Sequence, residues 1–173
     1  MFCGLTYRAV GSDKNLEVRS PKCCGIHAGK ATGGQLLTSV IEEHLLQNNV
    51  VIHEPVEYSE VPQFIAFCDV ATSPLPDHPY WRFQCPLKLL EYMTIEKVII
   101  LSDISAYRSV VDGAKCGIYT HSTEPADIAR AIGYAYDNSQ KLNEWGITGR
   151  KIVEERHTWE KVASDFERHL LSI

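Results

Sequence analysis

The stretch KVIILSD, residues 97–103, decides the fold class of this chain. It is a continuous apolar run, which is typical of a strand buried on both faces rather than on one. Strands of that kind belong to parallel sheets that helices cover on both sides. The stretch therefore predicts an α/β protein built around a parallel sheet.

The segments on either side alternate between helix and strand, which predicts a doubly wound parallel sheet. Ser59 is the expected cap of the second helix, and Pro125 suits a first helical turn. In sheets of this kind, ligands bind beyond the carboxyl ends of the strands. The predicted helices cover 36–47, 59–68, 86–93, 105–112, 124–138 and a helical tail from about 139 to 173, and the other predicted strands cover 48–54, 69–75 and 116–120.

Composition indicates one ordinary globular domain spanning residues 1–173, because 45% of the residues are hydrophobic and 23% are charged. The formal net charge of -5 provides no basic field for a phosphate backbone, so nucleic acid is not an expected partner. The first residues lack the pattern of a signal peptide, and no stretch approaches the roughly 18 apolar residues of a membrane span. We therefore expect a cytoplasmic protein without a membrane span.

Cysteine and histidine spacing gives no support to a metal site. The six cysteines contain no C-x-x-C pair, and the seven histidines contain no H-x-x-x-H or H-E-x-x-H arrangement. We expect no metal ligands and no disulfide framework. A flavodoxin-like regulatory domain shares the alternating pattern, but it would need an acidic cluster at the strand ends.

The stretch CPLKLLEYM, residues 85–93, combines a helix start with two charged side chains one turn apart. Pro86 fits the first helical position, so the amides that follow should point out of the helix and favour an anion. Lys88 adds a positive charge there, and Glu91 could accept hydrogen bonds from hydroxyl groups attached to the anion. A nucleoside diphosphate with its ribose satisfies both, whereas the alternative is a solvated Lys88–Glu91 pair. The amides concerned are those of Leu87, Lys88 and Leu89.

These stretches together resemble a known family. PLKLLEYM, the following KVII.SD and the late HTWEKVA, in this order, are similar to the C-terminal half of family 4 (group 1) retaining glycosyltransferases, which have the GT-B fold of two facing Rossmann-like domains. The resemblance covers roughly residues 36 to 170. It implies a Rossmann-like domain that binds a nucleotide-activated sugar.

The resemblance also assigns roles to particular residues. It implies that the helix start at Leu87–Leu89 cradles the diphosphate, that Glu91 binds the ribose hydroxyls, and that the turn at Pro55 and Val56 holds the base through backbone groups. A simple strand-to-helix turn explains Pro55 and Val56 equally well. An arginine and a lysine six residues apart neutralise the diphosphate in the family, and Arg8 and Lys14 have that spacing.

One departure from the family concerns the first of its two glutamates, which are separated by seven residues. The second falls on Glu91 and the first on Phe83, so recognition of the donor sugar is in doubt. Asp77 is a candidate replacement, although an exposed turn aspartate is the simpler interpretation. Trp159 is expected to anchor the last helix by packing.

The resemblance implies a reaction with retention of anomeric configuration and without a metal or other cofactor. Lys88 and Glu91 are the candidate catalytic residues, because the departing diphosphate accumulates negative charge that amides and cations would stabilise. We expect a donor-binding half that transfers a hexose to a glycan or other acceptor, as in polysaccharide biosynthesis, and that has little activity alone.

The length of the chain indicates which protein partners to expect. A complete GT-B enzyme needs roughly twice this length, so the acceptor domain is expected in a missing N-terminal half or a partner subunit, and exposed apolar surface favours a homodimer. The alternative is a degenerate, non-catalytic domain that serves as a nucleotide-binding or protein-interaction module.

Overall fold

The computed structural model describes residues 5–7, 26–28, 34–53, 56–111 and 113–172. In chain order, the described elements are β1 (Leu5–Tyr7), β2 (Ile26–Ala28), α1 (Gly34–Glu43), β3 (Val51–His53), a 3-10 turn (Tyr58–Glu60), α2 (Val61–Ala66), β4 (Val70–Ser73), α3 (Pro79–Arg82), α4 (Leu87–Thr94), β5 (Val98–Ser102), α5 (Ser105–Val111), β6 (Gly117–Thr120), α6 (Pro125–Asp137), α7 (Ser139–Arg156) and α8 (Trp159–Leu170). The predicted alternation of helices and strands is confirmed.

The central sheet has the order β1-β4-β5-β6, and β4, β5 and β6 are parallel. Val70 pairs with Val98, and Ile99 pairs with Gly117 in the next ladder. β1 joins the sheet antiparallel to β4, with Leu5 opposite Thr72, while β2 and β3 form a separate parallel pair. The parallel sheet expected from the sequence therefore carries one antiparallel edge strand, an arrangement that is common in α/β folds.

Helices cover both faces of the sheet, as a doubly wound arrangement requires. Because successive strand residues point to opposite faces, Ile99 and Leu101 belong to one apolar cluster with residues of α2, α4, α5 and α7. Val98 and Ile100 belong to a second cluster with residues of α6. All five residues of β5 are buried, so the prediction of a strand buried on both faces is confirmed.

Several helix boundaries differ from those predicted. The second helix is preceded by the 3-10 turn, and Ser59 lies inside that turn rather than at a cap, because the Glu57 amide donates to Glu60 Oε2 at 3.1 Å. α1 ends at Glu43, before Leu45 takes a positive φ of 53°. Between the predicted strand at 69–75 and the predicted helix at 86–93, where the sequence predicts no element, the structure has the short helix α3.

The helical tail consists of two helices that differ in burial. α7 packs against α4 and β5, and its Gly146 lies against the backbone of Glu96. α8 follows a Thr158 cap, and all of its residues are exposed. The Trp159 side chain is 84% exposed, so the expectation that it anchors the last helix by packing is wrong. In the part of the chain that the structure describes, no helix is long and apolar enough to cross a membrane.

Candidate functional site

Helix α4 is fixed by its buried face, which leaves its charged residues at the surface. Leu89, Tyr92 and Met93 are all at most 1% exposed and pack in the main core cluster. Burying three large side chains stabilises the helix position by several kcal/mol, at about 1.5–3 kcal/mol each. Lys88 and Glu91 lie between the buried face and solvent, where they are half-buried. The core therefore sets the position of both candidate catalytic residues.

The start of α4 differs in detail from the expected arrangement of free amides. Pro86 is the residue before the helix, with φ −83° and ψ 70°, and Leu87 is the first helical residue. The Leu87 amide donates to the Cys85 carbonyl at 3.0 Å, and the Leu89 amide donates to the Pro86 carbonyl at 2.9 Å. The expectation of unpaired amides is therefore wrong for Leu87 and Leu89. An anion bound here would compete with these two carbonyl groups.

Glu91 has a partner that the sequence analysis missed. The Tyr58 hydroxyl donates to Glu91 Oε1 at 3.4 Å, across 33 residues of sequence. Tyr58 begins the 3-10 turn two residues after Val56, and Val56 is partly buried against the main core cluster. The structure thus brings the turn at 56–58 beside Glu91. The only available signal was that Tyr58 belongs to EPVEY, the same short stretch as Val56.

A groove of about 560 Å³ runs along the outer side of α4. Leu87 and Glu91 line it together with Tyr58, His157, which directly follows α7, and Trp159 of α8. The remaining lining residues are mostly apolar: Val61, Pro62, Ile65, Cys85, Leu90, Thr94, Ile95, Val153 and Val162. The groove therefore combines a carboxylate and a phenol with a largely apolar wall, which is the usual character of a small-molecule site.

His157 is a partly buried polar residue of this groove, and its Nε2 atom is buried. Its Nε2 atom has no hydrogen-bond partner among the described residues. Burial lowers the pKa of His157, and the charge of Arg156 lowers it further. The imidazole is therefore held in its neutral form more strongly than a solvated histidine would be.

Hydroxyl groups gather at the carboxyl ends of the parallel strands. β4 ends at Ser73, whose Oγ lies 2.7 Å from the Tyr107 hydroxyl, and β5 ends at Ser102, whose Oγ accepts the Leu75 amide at 2.8 Å. Burial raises the pKa of Tyr107, while its bond to Ser73 lowers it. The three parallel strands of the central sheet, β4, β5 and β6, end at Ser73, Ser102 and Thr120, whereas two of the corresponding predicted strands end one or two residues later, at Leu75 and Asp103.

Arg108 of α5 forms an ion pair with Asp103, the residue that follows β5. Arg108 donates from Nε and Nη2 to the two carboxylate oxygens of Asp103, and its guanidinium lies 4.7 Å from the ring centroid of Tyr119. The hydrogen bond from Arg108 is the main cause that lowers the pKa of Asp103. The arginine thus joins α5 to both β5 and β6.

Asp77 and Phe83, the two residues discussed for the family's first glutamate, are both exposed. Asp77 is exposed and accepts two hydrogen bonds from Arg82, at 2.7 and 2.8 Å, and this bond lowers the pKa of Asp77. The interpretation of Asp77 as an exposed turn residue agrees with this geometry. Phe83 directly follows α3 and is 92% exposed. The predicted residues Arg8, Lys14 and Pro55 lie outside the described residues.

The family comparison identifies the chain. The model of the family described as "Glycosyl transferases group 1" matches residues 19–152. The match covers most of the sequence, so this chain belongs to that glycosyltransferase family. Among curated proteins, no match is found.

Solved structures show the same fold at low sequence identity. HepE from Anabaena, solved with UDP and glucose, has a TM-score of 0.71 and 20% identity, and the match covers 86% of this chain and 40% of HepE. Sucrose-phosphate synthase from Thermosynechococcus elongatus has a TM-score of 0.70 and 17% identity, over 86% of this chain and 38% of that protein. This chain therefore spans about two fifths of either structure and has the fold of the C-terminal half of a GT-B glycosyltransferase.

A third structure is itself a single domain. The C-terminal domain of a group 1 glycosyl transferase family protein from Francisella tularensis has a TM-score of 0.62 and 13% identity. The match covers 72% of this chain and 62% of that domain. The similarity is thus to a domain of the same kind as well as to parts of longer proteins.

Proposed function

We propose that this chain is the donor-binding half of a retaining glycosyltransferase, which transfers a hexose from a nucleoside-diphosphate sugar to a glycan or other acceptor. The observation that carries this proposal is the contact between Tyr58 and Glu91 in the groove beside the start of α4. A carboxylate held in this way accepts hydrogen bonds from vicinal hydroxyls, which a ribose offers. The proposed ribose site is therefore Glu91, with Tyr58 holding its carboxylate.

The diphosphate is proposed to lie at the first turn of α4. A helix start carries a partial positive charge and favours an anion, and Lys88 provides a full positive charge in the same turn. The diphosphate would take over the Leu87 and Leu89 amides from their present carbonyl acceptors. Pro86 contributes no amide and holds the backbone before the helix, since its φ is restricted by its ring. Together these groups form the proposed phosphate site.

The chemistry follows from the charge that develops as the donor bond breaks. The leaving diphosphate becomes more negative, so fixed positive groups stabilise the transition state more than the ground state. Lys88 is proposed to supply this stabilisation with Arg8 and Lys14, without a metal or other cofactor. Glu91 is proposed to bind the ribose hydroxyls and so to orient the nucleoside, which places the leaving phosphate next to these cations.

The base is proposed to contact the turn at Pro55 and Val56, because Tyr58, two residues after Val56, contacts Glu91. UDP is the first nucleotide to test, since HepE was solved with UDP and glucose. The acceptor is proposed to bind an N-terminal half or partner subunit, because the chain spans about two fifths of HepE. On this basis the activity of these 173 residues alone is expected to be low. We also propose that the protein is cytoplasmic and acts in polysaccharide biosynthesis.

A calorimetric titration with UDP, GDP, ADP and their sugar conjugates tests the proposal. Glu91→Ala should weaken binding of the preferred nucleotide by roughly tenfold or more, because hydrogen bonds to charged groups contribute about 1.5–3 kcal/mol. Glu155→Ala, which removes an exposed carboxylate from α7, is the matched control and should bind as the unmodified chain does. Equal affinity of Glu91→Ala and the unmodified chain would contradict the proposed ribose site.

The second candidate is a non-catalytic module derived from a glycosyltransferase. Two observations favour it: Phe83 is 92% exposed at the position of the family's first glutamate, and the Leu87 and Leu89 amides already have carbonyl acceptors. Under this alternative the chain binds nucleotide weakly or not at all. Transfer assays with a complementing N-terminal half separate the two candidates, because the module would remain inactive in its presence.

A further inference from the structure

The loop between β4 and α4 is attached at its beginning to the end of β5. The Leu75 amide donates to Ser102 Oγ at 2.8 Å, and Ser73 Oγ lies 2.7 Å from the Tyr107 hydroxyl. Ser102 is 5% exposed and Tyr107 is 1% exposed, so both hydroxyls lie within the packed interior. Buried hydrogen bonds of this kind are costly to leave unsatisfied. The first residues of the loop therefore have one strongly preferred position.

The last part of the loop is attached to the start of α5. Ser105 Oγ donates to the Arg82 carbonyl at 3.2 Å. Arg82 also donates two hydrogen bonds to Asp77, which join the first and second halves of the loop. The partly buried Trp81 packs against the main core cluster between these contacts. The segment from Ser102 to Tyr107 thus holds both ends of the loop.

The attachment point of the loop is close to the proposed phosphate site. Arg82 lies three residues before Cys85, and the Cys85 carbonyl accepts the amide of Leu87, the first residue of α4. Only Phe83 and Gln84 separate Arg82 from Cys85, so the position of Arg82 restricts where the backbone before α4 can lie.

We propose that Ser102, Ser105 and Tyr107 are positioning residues for the donor site. This inference rests on the proposed function. The three hydroxyls do not touch the donor; they hold the backbone before α4 in place, so that donor binding requires only that the Leu87 and Leu89 amides exchange their carbonyl acceptors for the diphosphate. Such preorganisation raises affinity because less ordering is needed upon binding.

Substitutions on one face of α5 test this role. Ser105→Ala removes the bond to Arg82, whereas Ser105→Thr keeps a hydroxyl at the same position. Ser109→Ala is the matched control, because the Ser109 hydroxyl donates to the Ala106 carbonyl within α5. Ser102→Ala removes the acceptor of the Leu75 amide and serves as a second, independent variant. UDP affinity and the melting temperature are measured for each protein.

Ser105→Ala is expected to lose affinity with little loss of stability, whereas Ser102→Ala should lose both, because it leaves the Leu75 amide without its acceptor. Ser105→Ala should bind UDP about three- to tenfold more weakly, which corresponds to one net hydrogen bond, while its melting temperature changes by no more than about 2 °C. Ser105→Thr should bind nearly as well as the unmodified chain, and Ser109→Ala should not differ from it. Hydrogen exchange of the amides at 76–87 should increase in Ser105→Ala and Ser102→Ala.

Three results would overturn the inference. If the unmodified chain binds UDP and both Ser105→Ala and Ser102→Ala bind equally well, the positioning role is wrong while the proposed function stands. If affinity falls in parallel with the melting temperature, in Ser109→Ala as well, the hydroxyls support the general fold only. If the unmodified chain binds no nucleotide, the proposed function fails and the positioning role fails with it.

Discussion

The Tyr58 hydroxyl lies 3.4 Å from Glu91 Oε1, and this contact joins the turn before α2 to the second turn of α4. The contact is long for an O–H···O hydrogen bond, and Tyr58 is 77% exposed. Its contribution to the stability of the fold is therefore small. The Tyr58 phenol and the Glu91 carboxylate thus line the same groove, and the stability of the fold does not depend on their hydrogen bond.

Tyr58→Phe should leave the free energy of unfolding unchanged within about 0.5 kcal/mol, as expected for an exposed group. The same substitution should weaken nucleotide binding by a few-fold, because Glu91 loses the donor that orients its carboxylate. Calorimetry on Tyr58→Phe, Glu91→Ala and the double variant measures their coupling. Additive losses in the double variant would show that the two residues act independently.

Gly146→Ala should destabilise the fold severely. A Cβ atom at residue 146 would lie 2.0 Å from the Glu96 carbonyl oxygen, which belongs to backbone and cannot rotate away. Glu96 itself has a positive φ of 57°, so its turn has little freedom to move. We expect a loss of about 3 kcal/mol in the free energy of unfolding, at the upper end for overpacking.

Gly133→Ala is the control for this substitution. No atom lies within 4 Å of a Cβ placed at residue 133, which belongs to α6. Alanine is a better helix former than glycine by about 0.8–1 kcal/mol. Chemical denaturation should therefore show a gain of stability for Gly133→Ala, and a loss similar to that of Gly146→Ala would refute the steric explanation.

His157 should make stability depend on pH in the range just below neutrality. Burial lowers the pKa of His157 below 6.5 in the folded chain, so the unfolded chain binds more protons as the pH falls. Its stabilising contribution is complete above the unfolded pKa and is lost as the pH falls from 6.5 toward the lower folded value. Denaturation between pH 8 and 5 should show a steeper fall for the unmodified chain than for His157→Gln. Identical slopes would rule out His157 as the cause.

The exposed stripe on α8 should promote self-association. Trp159, Val162, Phe166 and Leu170 recur at helical spacing, and each is at least 48% exposed. Such a contiguous apolar surface is unusual for a free monomer. Sedimentation should show a concentration-dependent dimer, and Phe166→Glu should shift it to monomer. Glu167→Gln is the control, and a monomer at every concentration would contradict the homodimer expected from the sequence.

The local part of the fold follows directly from the sequence. β5 is a continuous apolar run, so its burial on both faces was predictable without knowledge of its neighbours. The same holds for α4 and α6, whose apolar residues recur at helical spacing. Thr158, which caps α8, and the first residues of that helix belong to HTWEKVA, one of the stretches that carry the family resemblance. Apolar runs, helical spacing and capping residues are local signals, and in β5, α4 and α6 the tertiary structure agrees with the secondary structure that they predict.

The candidate site was only partly predictable. Lys88 and Glu91 could be named because they interrupt an otherwise apolar helix one turn apart. The hydrogen bond from the Glu57 amide to Glu60, which forms where Ser59 was the expected cap, depends on a backbone turn that propensity alone does not specify. The exposure of Trp159 was also missed, because a tryptophan is usually expected to pack and no sequence signal showed that α8 has no covering surface here.

The sequence by itself determined the α/β class, the alternation of helices and strands from α1 to α6 apart from the short helix α3, and the position of the charged helix start, because periodicity and turn residues act over short distances. Tertiary structure alone decided that Tyr58 meets Glu91 and that Ser102, Ser105 and Tyr107 hold the loop before α4. Those contacts join residues 23 to 34 positions apart in the chain. Such pairs meet because β4 and β5 lie side by side and both faces of the sheet are packed, which is a property of the whole fold.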